Sequence, residues 1–365
     1  MNPTPAPYIF HAFEFSYFSA KVRPALRYKG LWVDERRADF GEILRRTGLG
    51  FIPILVTPED ETWQDSTDIY DRLEARHPEP PLFPTTPVQR LAAHLVELYA
   101  DEFALIPAMH TRWGTPLGEA TTRARFGAAM GNPEMAGSGA DRMVAARAAL
   151  GSTPETGPAV EAHLCELLDA LSSHITAHPY LLGERMSFAD CALMGPFDGH
   201  FWSDLDSRKL LLETAPRAVQ WIEWCKFPNS DSQGEWLPND ELAPTFKELL
   251  GVMGCDAAPV ILDSVCCVED WADQHAKAGD ELPRAAGRCD TTLRGTPMPR
   301  AAIAYVLYSV QRVHDAYAAL DEASRRRVDE ALAGTGWEPV LAYTPRHRLA
   351  RNGFKLVFEQ SGGAS

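Results

Sequence analysis

The sequence predicts an α+β protein in which a small mixed sheet precedes a largely helical chain. Three observations carry this prediction. The first 77 residues alternate short apolar runs with helical patterns in the order β-α-β-α-β-β-α. A proline-dense stretch, HPEPPLFPTTP at 77–87, ends that alternation. Beyond it, apolar residues recur mostly with helical spacing, which is typical of helices packed on helices.

The connections between the strands predict how the sheet is built. The first two strands are joined by a helix that ends at Lys29-Gly30, a C-cap signal, so they should run parallel. The next two are joined by the turn TPEDE and should form an antiparallel pair. Asp65-Ser66 then opens another helix. The predicted strands lie at residues 8–13, 32–36, 51–56 and 61–63.

Two loop-like stretches divide the remainder of the chain. The proline-dense stretch closes a first domain at 1–84, and FPNSDSQGEW at 227–236 closes a second, all-helical domain at 85–236. Within the second domain, Ser187 and Asp190 form a capping box, with Met186 and Cys191 placed to act as its hydrophobic staple. Residues 237–365 are predicted to form a mostly helical extension, with helical patterns at 240–252, 258–278 and 298–334 and a strand-like tail at 353–359.

Composition excludes several classes of function. The net charge of −15 disfavours nucleic acid and anionic membranes as partners. The chain has no run of 18 apolar residues, and its start has no signal-peptide pattern, so we expect a cytoplasmic protein. The seven cysteines form no C-x-x-C pair and no zinc-site spacing, and their odd number favours a reducing compartment. Cys165 and Cys191 are predicted to be small buried residues.

Four landmarks in order give the chain a resemblance to a known family. They are SYFSAKVR (16–23), FIPIL (51–55), DS (65–66) before a helix, and YLLGERMSFAD (180–190). Over roughly residues 8–225 the chain resembles the cytosolic glutathione transferase superfamily. The resemblance implies a thioredoxin-like glutathione-binding domain, an all-α C-terminal domain, glutathione as co-substrate, and a homodimer. The last 130 residues lie outside the common family core, and in this the chain resembles long, bacterial-type members.

The resemblance explains why an apolar strand contains Pro53. In this fold the Ile52–Pro53 bond is cis, and Ile52 presents its N–H and C=O to the cysteinyl part of glutathione as an added strand. The helix start at Asp65-Ser66 suits the α-carboxylate of the γ-glutamyl group, with Asp65 facing its α-ammonium. Phe51 stands where the family often has a polar residue. Gln64 or a nearby arginine is expected to replace that polar residue in holding glutathione. Two alternatives remain: Pro53 is an edge-strand proline without a ligand, and Asp65-Ser66 only caps its helix.

The reactive position is predicted at the start of the first helix. Ser16 matches the first position of the family pattern S-x-x-S-x-[KR]-V-R and is our first candidate for the hydroxyl that stabilises the glutathione thiolate. Ser19 is the second candidate and Tyr17 the third. Thiol-transferring branches of the family carry cysteine at the Ser16 position, and no cysteine occurs before Cys165. The resemblance therefore implies thiolate activation without a mixed disulfide. Lys21 and Arg23 are expected on the first helix, either as charges on its surface or in intramolecular salt bridges.

The electrophile pocket is expected between the first helix and ELYADEFALIPAMHTRW at 97–113. Its aromatic and soft side chains point to a small apolar electrophile, although core packing is the alternative for each of them. His110 and Arg112 are the polar groups in this stretch. The predicted pocket residues are Tyr17, Tyr99, Phe103, His110 and Trp113.

The sequence leaves three functions open. The first is a glutathione transferase acting on an apolar electrophile. The second is a glutathione-dependent lyase or isomerase, which would use the same residues. The third is a non-catalytic binding or scaffold protein that keeps only the fold, and Phe51 and the long extension favour it. Retention of Ser16, Asp65 and Ser66 favours the enzymes, because a scaffold does not need them.

Overall fold

The computed structural model describes residues 6–130 and 133–359, and these contain fifteen α-helices and ten short strands. The strands are Tyr8–Ala12 (β1), Val33–Arg37 (β2), Ile54–Val56 (β3), Thr62–Gln64 (β4), Ala285–Cys289 (β5), Thr292–Leu293 (β6), Thr296–Pro297 (β7), Arg300–Ile303 (β8), Leu349–Asn352 (β9) and Lys355–Phe358 (β10). The helices are Tyr17–Tyr28 (α1), Phe40–Thr47 (α2), Ser66–Arg76 (α3), Pro87–Glu102 (α4), Leu105–Trp113 (α5), Pro116–Met130 (α6), Pro133–Ala149 (α7), Gly157–Ala177 (α8), Phe188–Pro196 (α9), Leu205–Thr214 (α10), Pro216–Lys226 (α11), Pro244–His275 (α12), Val306–Ala318 (α13), Glu322–Leu332 (α14) and Glu338–Ala342 (α15).

The N-terminal sheet has the predicted mixed topology. Its order is β2-β1-β3-β4, with β1 parallel to β2 and the other two pairs antiparallel. Alternate side chains point to opposite faces. Phe10 and Leu55 join the main core with residues of α1 and α3, whereas Ile54 and Val56 pack with Ile43 of α2 in a smaller cluster. This thioredoxin-like domain is therefore an α+β sandwich whose two faces are both covered.

Local signals fix the ends of its helices. The Asp39 side chain accepts from the N–H groups of Gly41 and Glu42 and so caps α2. Gly48 ends the same helix at φ 70°, a left-handed conformation that glycine adopts without steric cost. The backbone of Lys29 ends α1, and Gly30 follows at φ 62° as the C-cap signal predicts.

The helical domain is built around α9, which packs against both α1 and α4. Its capping box is confirmed, because Asp190 accepts from the backbone and hydroxyl of Ser187 at 2.9 Å. The other Asp190 oxygen accepts from Trp221 Nε1 at 2.9 Å. After Pro196 the helix continues as a π-helical segment, residues 197–202, which also contacts α1. Buried Cys191 is confirmed, whereas the prediction for Cys165 is wrong, since it lies exposed on α8.

The extension packs onto two helices of the helical domain, α8 and α4. The patterns at 240–252 and 258–278 form one helix, α12, which continues through Pro259 and packs against α8. Just before it, the Asp240 carboxylate accepts from the N–H groups of Val88 and Gln89 at 3.0 Å, so the extension supplies the N-terminal cap of α4. The extension and the helical domain therefore share a buried interface.

The rest of the extension mixes helices with hairpins. The prediction of helix over 298–334 is wrong for its first part, where β8 precedes α13 and α14. The strand-like tail is confirmed as β10, which pairs antiparallel with β9. A second antiparallel pair joins β5 to β8. α13 packs against α4, and this contact brings the start of α13 to the N-terminal domain.

One helix of the described residues is long and apolar enough to span a membrane by length and composition. It is α12, and more than half of its most apolar window is buried inside the molecule.

Candidate ligand-binding site

The sheet topology brings three predicted segments to one end of the N-terminal domain. β1 runs antiparallel to β3, with His11 opposite Ile54. β3 in turn runs antiparallel to β4, with Ile54 opposite Gln64. The end of β1, the start of β3 and the end of β4 therefore lie side by side. The segments beyond them are 13–16, 51–53 and 65–66, which hold the predicted reactive, main-chain and anion-binding residues.

The main-chain groups of Ile52 are unpaired among the described residues. The Ile52–Pro53 bond is cis, as predicted. β3 begins only at Ile54, and within 6–130 and 133–359 no hydrogen bond reaches the N–H or C=O of Ile52. Gln64 Nε2 donates to the Phe51 carbonyl at 2.9 Å, so this side chain supports the loop. Phe51 itself is 48% exposed. Unpaired main-chain groups of this kind can take an added strand.

The start of α3 lies next to this segment. Asp65 is its N-cap, with a positive φ of 80°, a backbone conformation that is uncommon for residues other than glycine. Its Oδ1 accepts from the Thr67 N–H at 2.9 Å. Ser66 is the first helical residue and is mostly buried. Strained residues of this type concentrate at functional sites, and a helix start favours an anion.

The second carboxylate oxygen of Asp65 is occupied by the extension. Tyr305 at the start of α13 donates its hydroxyl to Asp65 Oδ2 at 2.6 Å, and Arg351 Nη2 lies 2.8 Å from the same oxygen. Burial, and then the neighbouring Asp65 charge, raise the pKa of Tyr305 well above its usual value. The sequence predicts that this carboxylate faces a ligand ammonium. In the structure, two side chains of the extension hold it instead.

Ser16 caps α1 and keeps its hydroxyl proton available. Its Oγ accepts from the Ser19 N–H at 3.4 Å, and the side chain is half-buried. The Ser19 hydroxyl is fully buried, and no described residue bonds to it. A Cβ on Gly199 of the π-helical segment would come within 3.1 Å of Tyr17 Cα, so glycine is needed where this segment approaches the Ser16 turn. Of the two serines, Ser16 is therefore the one that a ligand can reach.

Lys21 and Arg23 of α1 form intramolecular salt bridges, one of the two arrangements that the sequence suggested. Lys21 is completely buried between Glu97 and Asp101, at 2.8 and 2.7 Å. Burial would lower the pKa of Lys21, but these two carboxylates outweigh it and hold the pKa above its usual value. Arg23 pairs with Glu35 of β2 at 2.7 Å. Both cations tie α1 to neighbouring elements, and neither is free for a ligand.

The predicted electrophile-pocket residues do not share one cleft. The Tyr17 hydroxyl donates to the Ala100 carbonyl at 2.5 Å, which fixes the ring between α1 and α4. Tyr99 and Phe103 have no exposed surface, and both pack against His163 of α8. Core packing, the alternative considered for them, accounts for these contacts.

The polar groups of the same stretch are also paired. His110 Nδ1 lies 3.1 Å from Ser152 Oγ, and its Nε2 lies 3.2 Å from Glu161 Oε1. Arg112 is buried and donates to Asp204 at 2.7 Å. Burial lowers the pKa of Arg112, although the Asp204 carboxylate opposes this effect. These contacts hold helices together, and Arg112 Nη1 also donates to the carbonyl of Phe15, directly before Ser16, at 2.9 Å.

A different set of aromatic residues surrounds the Ser16 turn. Phe13 and Phe15 precede it and stack with centroids 5.9 Å apart. Phe126 of α6 lies 5.4 Å from Phe15 and 5.6 Å from Trp113, so one predicted pocket residue joins this group. The Arg125 guanidinium lies 4.5 Å from the Phe15 ring centre. The motif F-E-F at 13–15, directly before Ser16, was the available signal, but the predicted strand at 8–13 included Phe13 and no role was predicted for Phe15.

A search of the described residues finds no group of three or more His, Cys, Asp or Glu side chains that could hold a metal ion.

The family models match the two domains that flank this arrangement. The glutathione S-transferase N-terminal domain model matches residues 10–81, and the glutathione S-transferase C-terminal domain model matches residues 146–225. They occur in the order in which the thioredoxin-like and helical domains occur here. The chain therefore contains the two domains of a glutathione S-transferase. Both matched ranges end before the extension, so residues 237–365 lie outside the matched domains.

Solved structures of glutathione transferases and related proteins align to about two thirds of the chain. A glutathione S-transferase from Rhodospirillum rubrum is 20% identical, covering 67% of this chain and 91% of its own, with a TM-score of 0.41. A homologue from Sulfitobacter, crystallised with bound glutathione, is 19% identical over 61% and 94%, with a TM-score of 0.41. The β-etherase LigF from Sphingobium is 16% identical over 67% and 98%, with a TM-score of 0.44. A search of curated proteins found no significant match.

Proposed function

We propose that this protein binds glutathione at the shared end of the sheet and activates its thiol with Ser16 for attack on a small apolar electrophile. The observation that carries the proposal is the unpaired main chain of Ile52 between the Ser16 turn and the start of α3. A γ-linked tripeptide fits this order of groups. Its cysteinyl part pairs with Ile52, its α-carboxylate meets Ser66, and its sulfur faces Ser16.

Ser16 has the hydrogen bonding that thiolate activation requires. A free thiol with a pKa of about 8.5 is only about 3% ionised at pH 7. A hydroxyl that donates to the thiolate contributes roughly 1.5–3 kcal/mol, which lowers the thiol pKa by about one to two units. The thiolate fraction then rises roughly ten- to twenty-five-fold. Because Ser16 Oγ accepts from the Ser19 N–H, its own proton is left to donate to the sulfur.

The aromatic group beside Ser16 supports an apolar electrophile. Phe13, Phe15 and Phe126 place ring surface around the turn, and the Arg125 guanidinium adds one cation above it. Orientation of the electrophile against the thiolate supplies the remaining acceleration. We place the electrophile pocket here, and Trp113 is the predicted residue that it retains. Homodimerisation stays a prediction from the family resemblance.

A non-catalytic scaffold is the second candidate, and one observation favours it. Tyr305 and Arg351 of the extension contact Asp65 Oδ2, and the Arg284 guanidinium lies 5.5 Å from the Phe51 ring centre. These contacts stand at the edge where glutathione would enter. A glutathione-dependent lyase or isomerase uses the same residues as the transferase, and product analysis separates the two.

Binding to immobilised glutathione, followed by the thiolate absorbance of the complex near neutral pH, tests the proposal. The wild type is expected to be retained and to show thiolate. Ser16→Ala should abolish the thiolate signal and leave retention intact. Ser19→Ala is the matched control, since it removes a hydroxyl one turn further along α1, and it should leave both signals unchanged.

Each contrary result points to a different error. A wild type that is not retained favours the scaffold. Retention without thiolate removes Ser16 from its role, and loss of thiolate in Ser19→Ala alone assigns that role to Ser19.

A further inference from the structure

The extension contacts the proposed glutathione site at two of its three segments. Tyr305 and Arg351 meet at Asp65 Oδ2, and Arg284 stacks over Phe51. Arg284 and the start of α13 are neighbours, because the Ala304 N–H donates to the Arg284 carbonyl at 3.2 Å. Two separate parts of the extension, the β5–α13 region and the β9–β10 hairpin, therefore converge on the same end of the N-terminal domain.

Arg351 is held firmly, but its donors are not used up. Its Nη2 lies 2.8 Å from Asp65 Oδ2, its Nε lies 3.6 Å from Asp68 Oδ1, and its guanidinium lies 5.3 Å from the Tyr308 ring centre. The Nη2 atom is buried and forms no well-directed hydrogen bond with any described residue. A guanidinium has five N–H donors in a fork that matches a carboxylate. Nη2 is closed to solvent, so an anion at the start of α3 meets the other donors of Arg351, whose side chain is 19% exposed.

These contacts change what the site can recognise. Asp65 uses Oδ1 to cap α3 and Oδ2 to bind Tyr305 and Arg351. A ligand ammonium would have to displace one of these partners. A ligand carboxylate instead meets Ser66, the helix start and the Arg351 guanidinium. The extension therefore shifts this end of the site from a zwitterion toward an anion.

We propose that Arg351 of the extension binds the α-carboxylate of the γ-glutamyl group, and that recognition at this end depends on that carboxylate and hardly on the α-amine. This inference rests on the proposed function and makes the extension a part of the ligand site. Tyr305 acts as a positioning residue, because it holds Asp65 and through it the guanidinium. The ligand class is a γ-linked peptide whose terminal acyl group carries a free carboxylate.

Calorimetric titration of the full-length protein with three thiol peptides tests this inference. The first is glutathione. The second, glutaryl-cysteinylglycine, lacks the α-amine, and the third, 4-aminobutanoyl-cysteinylglycine, lacks the α-carboxylate. The wild type should bind the second within about threefold of glutathione. It should bind the third roughly 10- to 150-fold more weakly, the range of a hydrogen bond to a charged group.

Variants of Arg351 locate the source of that discrimination. Arg351→Ala should weaken glutathione binding by a similar factor and should remove most of the preference for the carboxylate. Arg351→Lys keeps the charge and loses the fork, so its preference should be intermediate, and it serves if the alanine variant fails to fold. Arg348→Ala is the matched control. It removes an ion pair with Asp315 from the same hairpin, at a side chain that is 45% exposed, and should bind all three peptides like the wild type.

The contrary outcomes are distinct. If the wild type fails to bind glutathione, both the proposed function and this inference are wrong. If the wild type binds glutathione and Arg351→Ala binds it equally well, only the inference is overturned. It is also overturned if the peptide without a carboxylate binds as tightly as glutathione. Equal losses in Arg348→Ala would mean that the variants act through the stability of the extension.

Discussion

We predict that Glu102, at the contact between the extension and α4, makes the free energy of unfolding depend on pH. It is the last residue of α4, it is buried, and Ser309 of α13 donates its hydroxyl to Oε1 at 2.6 Å. Burial raises the pKa of Glu102 to about 7. The Ser309 hydrogen bond and the cations of Arg300 and Lys21 oppose this rise, whereas Asp101 adds to it. The perturbation is Glu102→Gln, which keeps an acceptor for Ser309 and removes the charge.

The sign and size of the effect follow from the raised pKa. A carboxyl group whose pKa rises from 4.5 unfolded to about 7 folded binds its proton more tightly in the folded state. Its contribution to stability is complete below pH 4.5 and is lost as the pH rises through about 7. Between pH 5 and pH 8 the loss amounts to about 2.5 kcal/mol. The glutamine variant should escape it and gain that much relative to the wild type.

Urea unfolding at pH 5, 6, 7 and 8 measures this difference. The free energy of unfolding of Glu102→Gln minus that of the wild type should increase by about 2.5 kcal/mol across the series. Glu213→Gln is the matched control, since its side chain is 61% exposed on α10, and its difference should stay within about 0.5 kcal/mol. A difference that is constant with pH, or that decreases, would refute the reasoning.

Two further variants probe contacts that hold the site elements together. Lys21→Met leaves Glu97 and Asp101 buried without their cation, so the free energy of unfolding should fall by about 3–5 kcal/mol in urea titrations. An unchanged value would mean that the buried ion pairs of Lys21 contribute no net stability. Asp240→Ala removes the cap that the extension gives to α4, and the same measurement should show a loss of about 0.5–2 kcal/mol. No loss there would show that water replaces the carboxylate at the helix start.

The sequence predicts the N-terminal domain and the start of α9 well because the signals are local. The capping box at Ser187 and the glycine after Lys29 act within four residues, and the structure confirms both. The directions of the strand pairs also follow from their connections, since a helix joins the parallel pair β1–β2 and a turn joins the antiparallel pair β3–β4. The cis bond before Pro53 was expected from the family resemblance and is present.

The sequence could not predict contacts made across long separations. Tyr305 meets Asp65 over 240 residues, and nothing near either residue indicates the other. The same holds for Lys21, which is completely buried because its carboxylate partners come from α4. Tyr99 and Phe103 had the composition of a pocket wall, but the direction of each side chain depends on α8, which lies beyond the local pattern.

The distance along the chain between Asp65 and Tyr305 has a consequence for synthesis. At roughly 5–20 residues per second, on the order of ten to fifty seconds separate the emergence of these two residues from a ribosome. Until Tyr305 and the hairpin bearing Arg351 have been made, Asp65 Oδ2 lacks both of these partners. A nascent chain can close the contact between Arg351 and Asp65 only after the β9–β10 hairpin has emerged.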